Sequence, residues 1–366
     1  MKPRFPYLRP LLPTPTQWLR HLHSSYQSRW FSNFGPTVRA FEAALTCSFA
    51  HADEMIVTAS SCTSALAAVL IALDARRTVL FPAFTFPATP ASIIMAGATP
   101  AALDVDEDQW TVSPENLERG LRQEDCDAVV LVAPFGMAQD FRSHFELCDQ
   151  YGVPVIVDNA AGLGGPRNPL ANENVFEVYS LHATKVFAIG EGGAIRARET
   201  QHGRLHRALN FGLQSGAPTE GAWGINGKLP EVMAAIGLAV LENLDEALEK
   251  RRAMVESYIQ IFSDSSSIKF PLDVSRAPWQ TFPVLFPEPE ESETFVREVN
   301  HHGVEVRRYY RPSLDTWPRV KKLQECPVAR RLGESMVCLP VYSDLSSSEA
   351  PDLFSAVEAS LVAARS

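Results

Sequence analysis

Strand-like and helix-like segments alternate along the first half of this chain, and this alternation constrains the fold more than any other feature. The apolar segments 127–133 and 154–158 are typical of strands buried on both faces of a parallel sheet. Between such segments lie longer stretches whose apolar residues recur at helical spacing. Since helical crossovers between parallel strands are right-handed, the pattern predicts an α/β fold with a mixed, mostly parallel sheet flanked by helices.

The predicted elements divide the chain into a large domain at 1–245 and a smaller C-terminal α+β domain at 246–366. Large-domain strands are predicted at 55–58, 79–81, 99–104, 127–133, 154–158 and 175–181, and helices at 38–49, 59–73, 88–96, 114–122 and 141–151. A long helical stretch at 230–261 is expected to connect the two domains. Beyond it, strands are predicted at 280–286 and 303–306, and helices at 291–301, 327–334 and 347–363.

Composition excludes several classes of protein. A net charge of −10 over 366 residues, without a long basic block, argues against a nucleic-acid-binding surface. No apolar run reaches membrane-spanning length, and the N-terminus lacks the apolar core of a signal peptide. The six cysteines form no C-x-x-C pair and no metal-binding spacing, so a cytoplasmic protein with reduced thiols and no metal is expected.

The segment 180–193, Ser-Leu-His-Ala-Thr-Lys-Val-Phe-Ala-Ile-Gly-Glu-Gly-Gly, contains the first candidate catalytic residue. Lys185 follows a strand-like run and precedes three glycines that allow backbone to pass close to a bound group. A lysine in this setting suits a Schiff base with a carbonyl, above all with pyridoxal phosphate (PLP). The alternative is a solvated loop lysine.

Two further features fit a PLP site. Asp158 ends an apolar strand, where a buried carboxylate needs a partner such as a pyridinium N–H. Small hydroxyl residues open the Ala/Leu-rich segment 59–73, and the free N–H groups of such a helix N-terminus suit a phosphate. Each feature has a structural alternative. Asp158 could cap a helix or a turn, and Ser60, Ser61 or Thr63 could be the ordinary N-cap of the helix.

Several motifs, taken in order, resemble those of the DegT/DnrJ/EryC1/StrS aminotransferases. These are PLP enzymes of fold type I that aminate nucleotide-linked keto sugars. The motifs are Asn-Phe-Gly-Pro at 33–36, Ser-Cys-Thr-Ser-Ala-Leu at 61–66, the segment 81–89, Val-Asp at 157–158, the 180–193 block, Asn-Phe-Gly at 210–212, the segment 226–237, Tyr-Tyr-Arg-Pro at 309–312 and Leu-Pro at 339–340. The 180–193 block is most similar to that of enzymes that aminate C4 of dTDP-4-keto-6-deoxyglucose.

This resemblance implies roles for individual residues. Lys185 would bind PLP covalently, and Asp158 would keep the pyridine nitrogen protonated. The remaining implied contacts are Phe86 stacking on the ring, Cys62, Thr63 and Ser180 on the phosphate, Asn226 reaching the phosphate from a second subunit, and His182 near the ring or substrate.

The resemblance further implies a homodimer with its active site at the subunit interface, and glutamate as amino donor. Alternatives stay open for individual residues. Phe86 could be a core aromatic, His182 a structural hydrogen-bonding residue, and Asn226 a turn residue before Gly227. Glu191 could contact substrate or lie in a surface turn.

One position departs from the family pattern. Ala161 stands where the family has Gln or His beside the phenolic oxygen of PLP, which puts the reactivity of the lysine–cofactor bond in question. The alternative functions are amination of a C3 keto sugar or of a cyclitol, and a non-catalytic regulatory or binding homologue. A dehydratase of the same scaffold is disfavoured, because in that branch a histidine replaces the lysine that is retained here at 185.

Overall fold

The computed structural model describes residues 3–214, 216–219 and 223–365. Its main feature is an eight-stranded sheet with the strand order β1-β7-β6-β5-β4-β2-β3-β11. The strands are β1 (Glu54–Ala59), β2 (Thr78–Pro82), β3 (Thr99–Leu103), β4 (Cys126–Val132), β5 (Val155–Asp158), β6 (Val175–Ser180), β7 (Gly193–Arg198) and the short β11 (Lys321–Lys322). Only β7 runs antiparallel to its two neighbours, β1 and β6. The predicted mixed, mostly parallel sheet is confirmed.

Helices flank this sheet. In the first 245 residues they are α1 (Pro15–Trp18), α2 (His23–Ser28), α3 (Pro36–Phe49), α4 (Cys62–Ala72), α5 (Ala88–Ala96), α6 (Pro114–Gln123), α7 (Arg142–Gln150), α8 (His202–Leu209) and α9 (Glu231–Leu241). Helix α4 packs on α5 and α8, and α6 packs on α7. No helix in the described part of the chain has the length and apolar composition needed to cross a membrane.

The remaining elements belong to the C-terminal part. They are α10 (Leu244–Phe262), β10 (Thr281–Leu285), α11 (Pro289–His301), α12 (Pro327–Ser335), β12 (Met336–Pro340) and α13 (Ala350–Ala364). Strands β10 and β12 form a separate antiparallel pair. Another antiparallel pair, β8 (Leu213–Gln214) and β9 (Ala217–Pro218), lies outside both sheets. The larger apolar core contains residues from both sides of position 245, so the domain boundary stays a prediction.

Two expectations about local structure were wrong, and one strand was not expected. The stretch 230–261 is two helices, α9 and α10, because the chain leaves helical geometry at Asn243. Segment 303–306 is no strand, and only Val304 pairs in isolation, with Phe5. Sequence reasoning missed β7, because the glycine and two arginines of this strand interrupt the apolar pattern expected of a buried strand.

A buried ionic network ties three neighbouring strands together beneath the site. Arg196 of β7, 1% exposed, donates to Glu54 of β1 at 2.9 Å and to Glu177 of β6 at 3.1 Å. The other oxygen of Glu177 accepts a hydrogen bond of 2.7 Å from the side chain of Asn159. Because Asn159 directly follows Asp158, the network helps to fix the carboxyl end of β5.

This network predicts a large loss of stability for Arg196→Met. The substitution leaves two buried carboxylates without a cation, which should lower the free energy of unfolding by about 3 to 5 kcal/mol. The matched control is Arg198→Met on the same strand, which loses an exposed partner, Asp53, and a hydrogen bond to the Leu170 carbonyl, so its loss should be only about 1 to 2 kcal/mol. Urea unfolding followed by circular dichroism measures both. Equal stabilities of the two variants would contradict the assignment.

Candidate active site

A cavity of about 430 Å³ opens at the carboxyl ends of β5 and β6. Its wall contains Asp158, Ser180 and Lys185, together with the first residues of α4 and with Phe86. This is the edge of a parallel sheet at which ligands are expected to bind. The volume lies in the usual range for pockets that enclose a small organic molecule. The structure therefore brings seven of the eight predicted site residues around one space, because His182 also lies in the wall.

Asp158 is a buried carboxylate with neutral hydrogen-bond donors. The Thr89 hydroxyl, on the first turn of α5, donates to Asp158 Oδ2 at 2.8 Å. The backbone N–H of Ala160 donates to Oδ1 at 3.2 Å. Burial raises the pKa of Asp158, and the Thr89 bond, the Lys185 charge and the Ala160 bond oppose this rise. A cationic N–H donor from a ligand would add the partner that best stabilises this carboxylate.

The N-terminus of α4 supplies unpaired donors at the same cavity. Its cap residue is Ser61, whose hydroxyl accepts the N–H of Ser64 at 3.0 Å. The N–H groups of Cys62 and Thr63 make no hydrogen bond to any described residue. The Ser180 hydroxyl accepts only the weak 3.3 Å bond from the His182 N–H, so its proton is free to be donated. These donors fit an anion such as a phosphate.

Gly193 allows this arrangement to form. A Cβ atom at this position would lie 2.4 Å from the carbonyl oxygen of Ser61 and 2.7 Å from the Cys62 nitrogen. Strand β7 therefore passes directly against the start of α4, which only glycine permits. Gly193 was expected to let the backbone approach a bound group. In the structure it lets β7 approach the backbone at the start of α4.

The Lys185 amine lies in the cavity and donates to Oε1 of Gln280 at 2.8 Å. Burial lowers the pKa of Lys185, while the neighbouring Cys62 and Asp158 act in the opposite direction. Burial also raises the pKa of the Cys62 thiol well above its ordinary value, and the Asp158 charge adds to this rise. Cys62 thus stays a neutral thiol at neutral pH, and Asp158 is the carboxylate whose charge acts on the amine.

His182 is held by its own loop. Its Nδ1 accepts the Thr184 N–H at 3.2 Å, so the ring proton is on Nε2, 3.4 Å from Glu191 Oε1. Both His182 and Glu191 line the cavity; His182 is half-buried and Glu191 is exposed. The pair is therefore placed to meet a ligand at the cavity mouth.

Phe86 and Ala161 lie in the cavity wall. Phe86 is 56% exposed, so a core position, the alternative from sequence, is wrong for this residue. Ala161 carries no polar side chain and packs tightly, since a Cβ at Gly136 would lie 2.4 Å from the Ala161 carbonyl oxygen. The structure thus provides no side-chain donor at position 161.

Asn226 is the one predicted site residue that lies outside the cavity. It is exposed, pairs in isolation with Asn210, and accepts the Lys228 amine at 2.7 Å. Lys228 also lies over the ring of Phe211, at 4.4 Å from its centroid. The contribution of Asn226 to a second subunit's site stays a prediction.

Sequence reasoning missed Gln280, Thr89 and the role of the tyrosines at 309 and 310. Thr89 lies inside the motif at 81–89, where its hydroxyl was the available signal. Both tyrosines line the cavity, and Tyr310 is fixed by stacking on Phe135 with ring centroids 6.0 Å apart. Gln280 lies at the start of β10, 95 residues from Lys185, and no local pattern indicates it.

The sheet places a buried lysine and a buried carboxylate at its carboxyl edge, and a solved structure described as a PLP-dependent aminotransferase, the class called fold type I, shares this fold. A family comparison agrees with this. The chain matches the DegT/DnrJ/EryC1/StrS aminotransferase family over residues 16–358, and it belongs to that family.

Individual relatives are distant. A dTDP-4-amino-4,6-dideoxy-D-glucose transaminase of Shigella dysenteriae is 29% identical, over 93% of this chain and 94% of that protein. A GDP-perosamine synthase of Escherichia coli O157:H7 is 26% identical, over 90% and 91%. A solved structure from Bacillus cereus, described as a PLP-dependent aminotransferase, has a TM-score of 0.87 and 27% identity, over 99% of this chain and all of that one.

The predictions of fold type I, of an aminotransferase and of PLP as cofactor are confirmed. The residues present fit PLP, because unpaired N–H donors and a hydroxyl suit its phosphate and the buried Asp158 suits its ring nitrogen. Among the described residues, no cluster of side chains could hold a metal ion.

Proposed function

We propose that this enzyme transfers an amino group from glutamate to a nucleotide-linked keto-deoxysugar, with C4 of dTDP-4-keto-6-deoxyglucose as the acceptor. The observation that carries the proposal is the single cavity that joins Lys185, Asp158 and the free N–H groups of α4. The Shigella relative, named as a transaminase of a dTDP-linked 4-amino sugar, supports the choice of sugar. The E. coli relative is named for a GDP-linked sugar, so the experiment below compares dTDP-linked and GDP-linked substrates.

In this proposal the cofactor is held at both ends. The N–H groups of Cys62 and Thr63 and the Ser180 hydroxyl bind its phosphate, and Asp158 accepts the N–H of its ring. Phe86 covers the ring, and flat aromatic groups suit such stacking. When bound, PLP supplies an electron sink for the electron pair that remains when the Cα proton of the amino acid leaves.

Lys185 moves the proton in this reaction. Its amine would hold the cofactor and, when free, would carry the proton between Cα of the amino acid and C4′. The amine must be neutral to accept a proton, and burial favours the neutral form by lowering the pKa of Lys185. In the second half of the reaction the amine would carry a proton in the opposite direction, to the sugar carbon that receives the amino group.

Asp158 acts on the ring nitrogen without reacting itself. Its carboxylate is oriented by the Thr89 hydroxyl and the Ala160 N–H, so a free lone pair can face the ring. An ionised Asp158 holds a proton on the ring nitrogen, and this charge strengthens the withdrawal of electrons. The cationic ring in turn favours ionised Asp158, which offsets the rise in its pKa caused by burial.

His182 and Glu191 are proposed to contact the sugar at the cavity mouth, where the Nε2 proton and the carboxylate suit hydroxyl groups. Asn226 is proposed to reach the phosphate site of a second copy of the chain. Its exposure, and the exposure of Phe211 and Trp223 nearby in sequence, support a covered surface in a homodimer. The cytoplasm remains the expected location.

A panel of ketones tests this function. The PLP-loaded enzyme is incubated with glutamate and, separately, dTDP-4-keto-6-deoxyglucose, a GDP-linked 4-keto sugar, a dTDP-linked 3-keto sugar and a cyclitol ketone, and products are analysed by mass spectrometry. We expect a 4-amino sugar, with the highest kcat/KM for the dTDP substrate. A preference for the 3-keto sugar or the cyclitol would replace the proposed acceptor, and no amination of any ketone would favour a binding homologue.

A further inference from the structure

We propose that Gln280 is a positioning residue that holds the free amine of Lys185 beside the reacting carbon while the proton is transferred. The inference rests on the proposed function and adds to it a residue that no motif of the chain indicates. The geometry behind it is the 2.8 Å hydrogen bond from Lys185 Nζ to Gln280 Oε1. An amine released from the cofactor needs such an acceptor, because otherwise its four-carbon chain is free to turn away from the reacting atoms.

The position of Gln280 between two cavities suits this task. The cofactor cavity meets a second cavity of about 360 Å³, and both are lined by Lys185 and Gln280. The rest of the second cavity's wall includes the N-terminal segment 7–14, Gln17 and residues of α9 and α10. Without the hydrogen bond to Gln280, the amine could enter this second space. The glutamine side chain therefore decides on which side of the boundary the amine stays.

The backbone on both sides of Gln280 is fixed. The indole N–H of the fully buried Trp279 donates to the Val274 carbonyl at 2.6 Å. The Trp279 carbonyl accepts Nη1 of the buried Arg251 at 2.9 Å. On the other side, the Thr281 hydroxyl donates to the Leu339 carbonyl at 2.6 Å. An acceptor on so rigid a segment returns the amine to the same place in every cycle.

A neutral acceptor is also the appropriate chemical choice. The titratable groups acting directly on Lys185 are Asp158 of β5 and Cys62 of α4. Other charged or titratable side chains around the two cavities are Arg9, His182, Glu191, Glu246, Lys250, Arg251, Tyr7, Tyr309 and Tyr310. An amide at 280 accepts the hydrogen bond without adding a second anion next to the amine. A carboxylate there would stabilise the ammonium form, which cannot accept a proton.

Two variants test the inference. In Gln280→Glu the added anion should raise the pKa of Lys185, moving the rise of the glutamate half-reaction rate about 1 to 3 units to higher pH. Its full rate should return at that higher pH. In Gln280→Leu the shape of the side chain is roughly kept but the acceptor is lost. We expect the rate to fall about 10- to 100-fold at every pH, because the amine is misplaced rather than protonated.

Gln17→Glu is the matched control. Gln17 lines the second cavity without contacting Lys185, and its Oε1 accepts the Thr14 N–H at 2.7 Å, which a carboxylate can also do. The control adds the same charge to the same cavity and should leave the pH profile in place. A Gln280→Glu profile that superimposes on that of the wild type would overturn the inference. So would a Gln280→Leu rate within twofold of wild type.

The glutamate half-reaction tests the role of Gln280 separately from the proposed sugar acceptor. Bleaching of the visible cofactor band by glutamate needs no sugar, so a wrong acceptor does not affect it. If glutamate fails to bleach the wild-type band, the proposed donor is wrong. The pH dependence of the rate at which PLP bonds to the PLP-free enzyme then still compares the free Lys185 amine in Gln280→Glu and wild type. An unshifted profile overturns the inference, and a shift to higher pH supports it. Should Gln280→Leu not fold, the glutamate variant decides by itself.

Discussion

Lys185→Ala abolishes formation of the amino sugar, and this is the largest effect that the site predicts. The substitution removes both the covalent link to the cofactor and the base that moves the proton between Cα and C4′. General acid–base catalysis alone contributes about 10² to 10⁴ in rate, so the loss should be at least about 10³-fold. Initial rates with saturating glutamate and keto sugar measure it. The absorption spectrum of the PLP-loaded variant should lack the band of lysine-bound cofactor.

Lys250→Ala is the control for this experiment. Lys250 lines the neighbouring second cavity but pairs with Glu246 on the surface of α10 at 2.7 Å. Its removal should leave both the rate and the spectrum near those of the wild type, because exposed ion pairs contribute little. Normal turnover by Lys185→Ala would remove the lysine from the reaction altogether.

Asp158→Ala should cause the second largest effect, a loss of both cofactor affinity and rate. A hydrogen bond to a charged group contributes about 1.5 to 3 kcal/mol, which corresponds to PLP binding weaker by about 10- to 150-fold. The rate should fall even when PLP is saturating, because an unprotonated ring withdraws electrons poorly. A PLP titration monitored by quenching of protein fluorescence gives the affinity for PLP. Initial rates at saturating PLP give the loss in reaction rate.

Asp158→Asn separates charge from packing at this position. The amide keeps the volume, its oxygen can still accept the Ala160 N–H, and its NH2 group can donate to the Thr89 hydroxyl, but it cannot hold a proton on the ring nitrogen. We therefore expect Asn to keep the fold, measured by circular dichroism, while losing most of the activity. If Asp158→Asn keeps the full rate at saturating PLP, the carboxylate is only a structural acceptor for the first turn of α5.

Much of this fold could be predicted because its central strands carry a local signal. Strands such as β4 and β5 are almost entirely buried and, apart from Asp127 and Asp158, consist of apolar residues. Strand β7 gives no such signal, since it starts with glycine and contains Arg196, whose charge is compensated by residues distant in sequence. The break between α9 and α10 was missed because a helical pattern continues across Asn243 although the backbone does not.

The candidate site likewise contains residues that the sequence indicates and residues that it does not. Lys185, Asp158 and the start of α4 could be found because each follows or opens a predicted element. Gln280 could not be found, because its contact with Lys185 depends on where the start of β10 lies relative to the Lys185 loop. The environment of Ala161 likewise depends on its contact with Gly136 from another loop. Residues that act through tertiary neighbours leave no pattern in the local sequence.

The central claim is that one cavity carries an amino group from an amino acid to a nucleotide keto sugar by way of Lys185 and its cofactor. A two-step absorption experiment on the wild-type enzyme tests it most directly. Glutamate is added to the PLP-loaded enzyme, excess glutamate is removed, and dTDP-4-keto-6-deoxyglucose follows. We predict that glutamate bleaches the visible band and that the keto sugar restores it, with one amino sugar formed per site. A band that glutamate does not bleach, or that no keto sugar restores, would contradict the account.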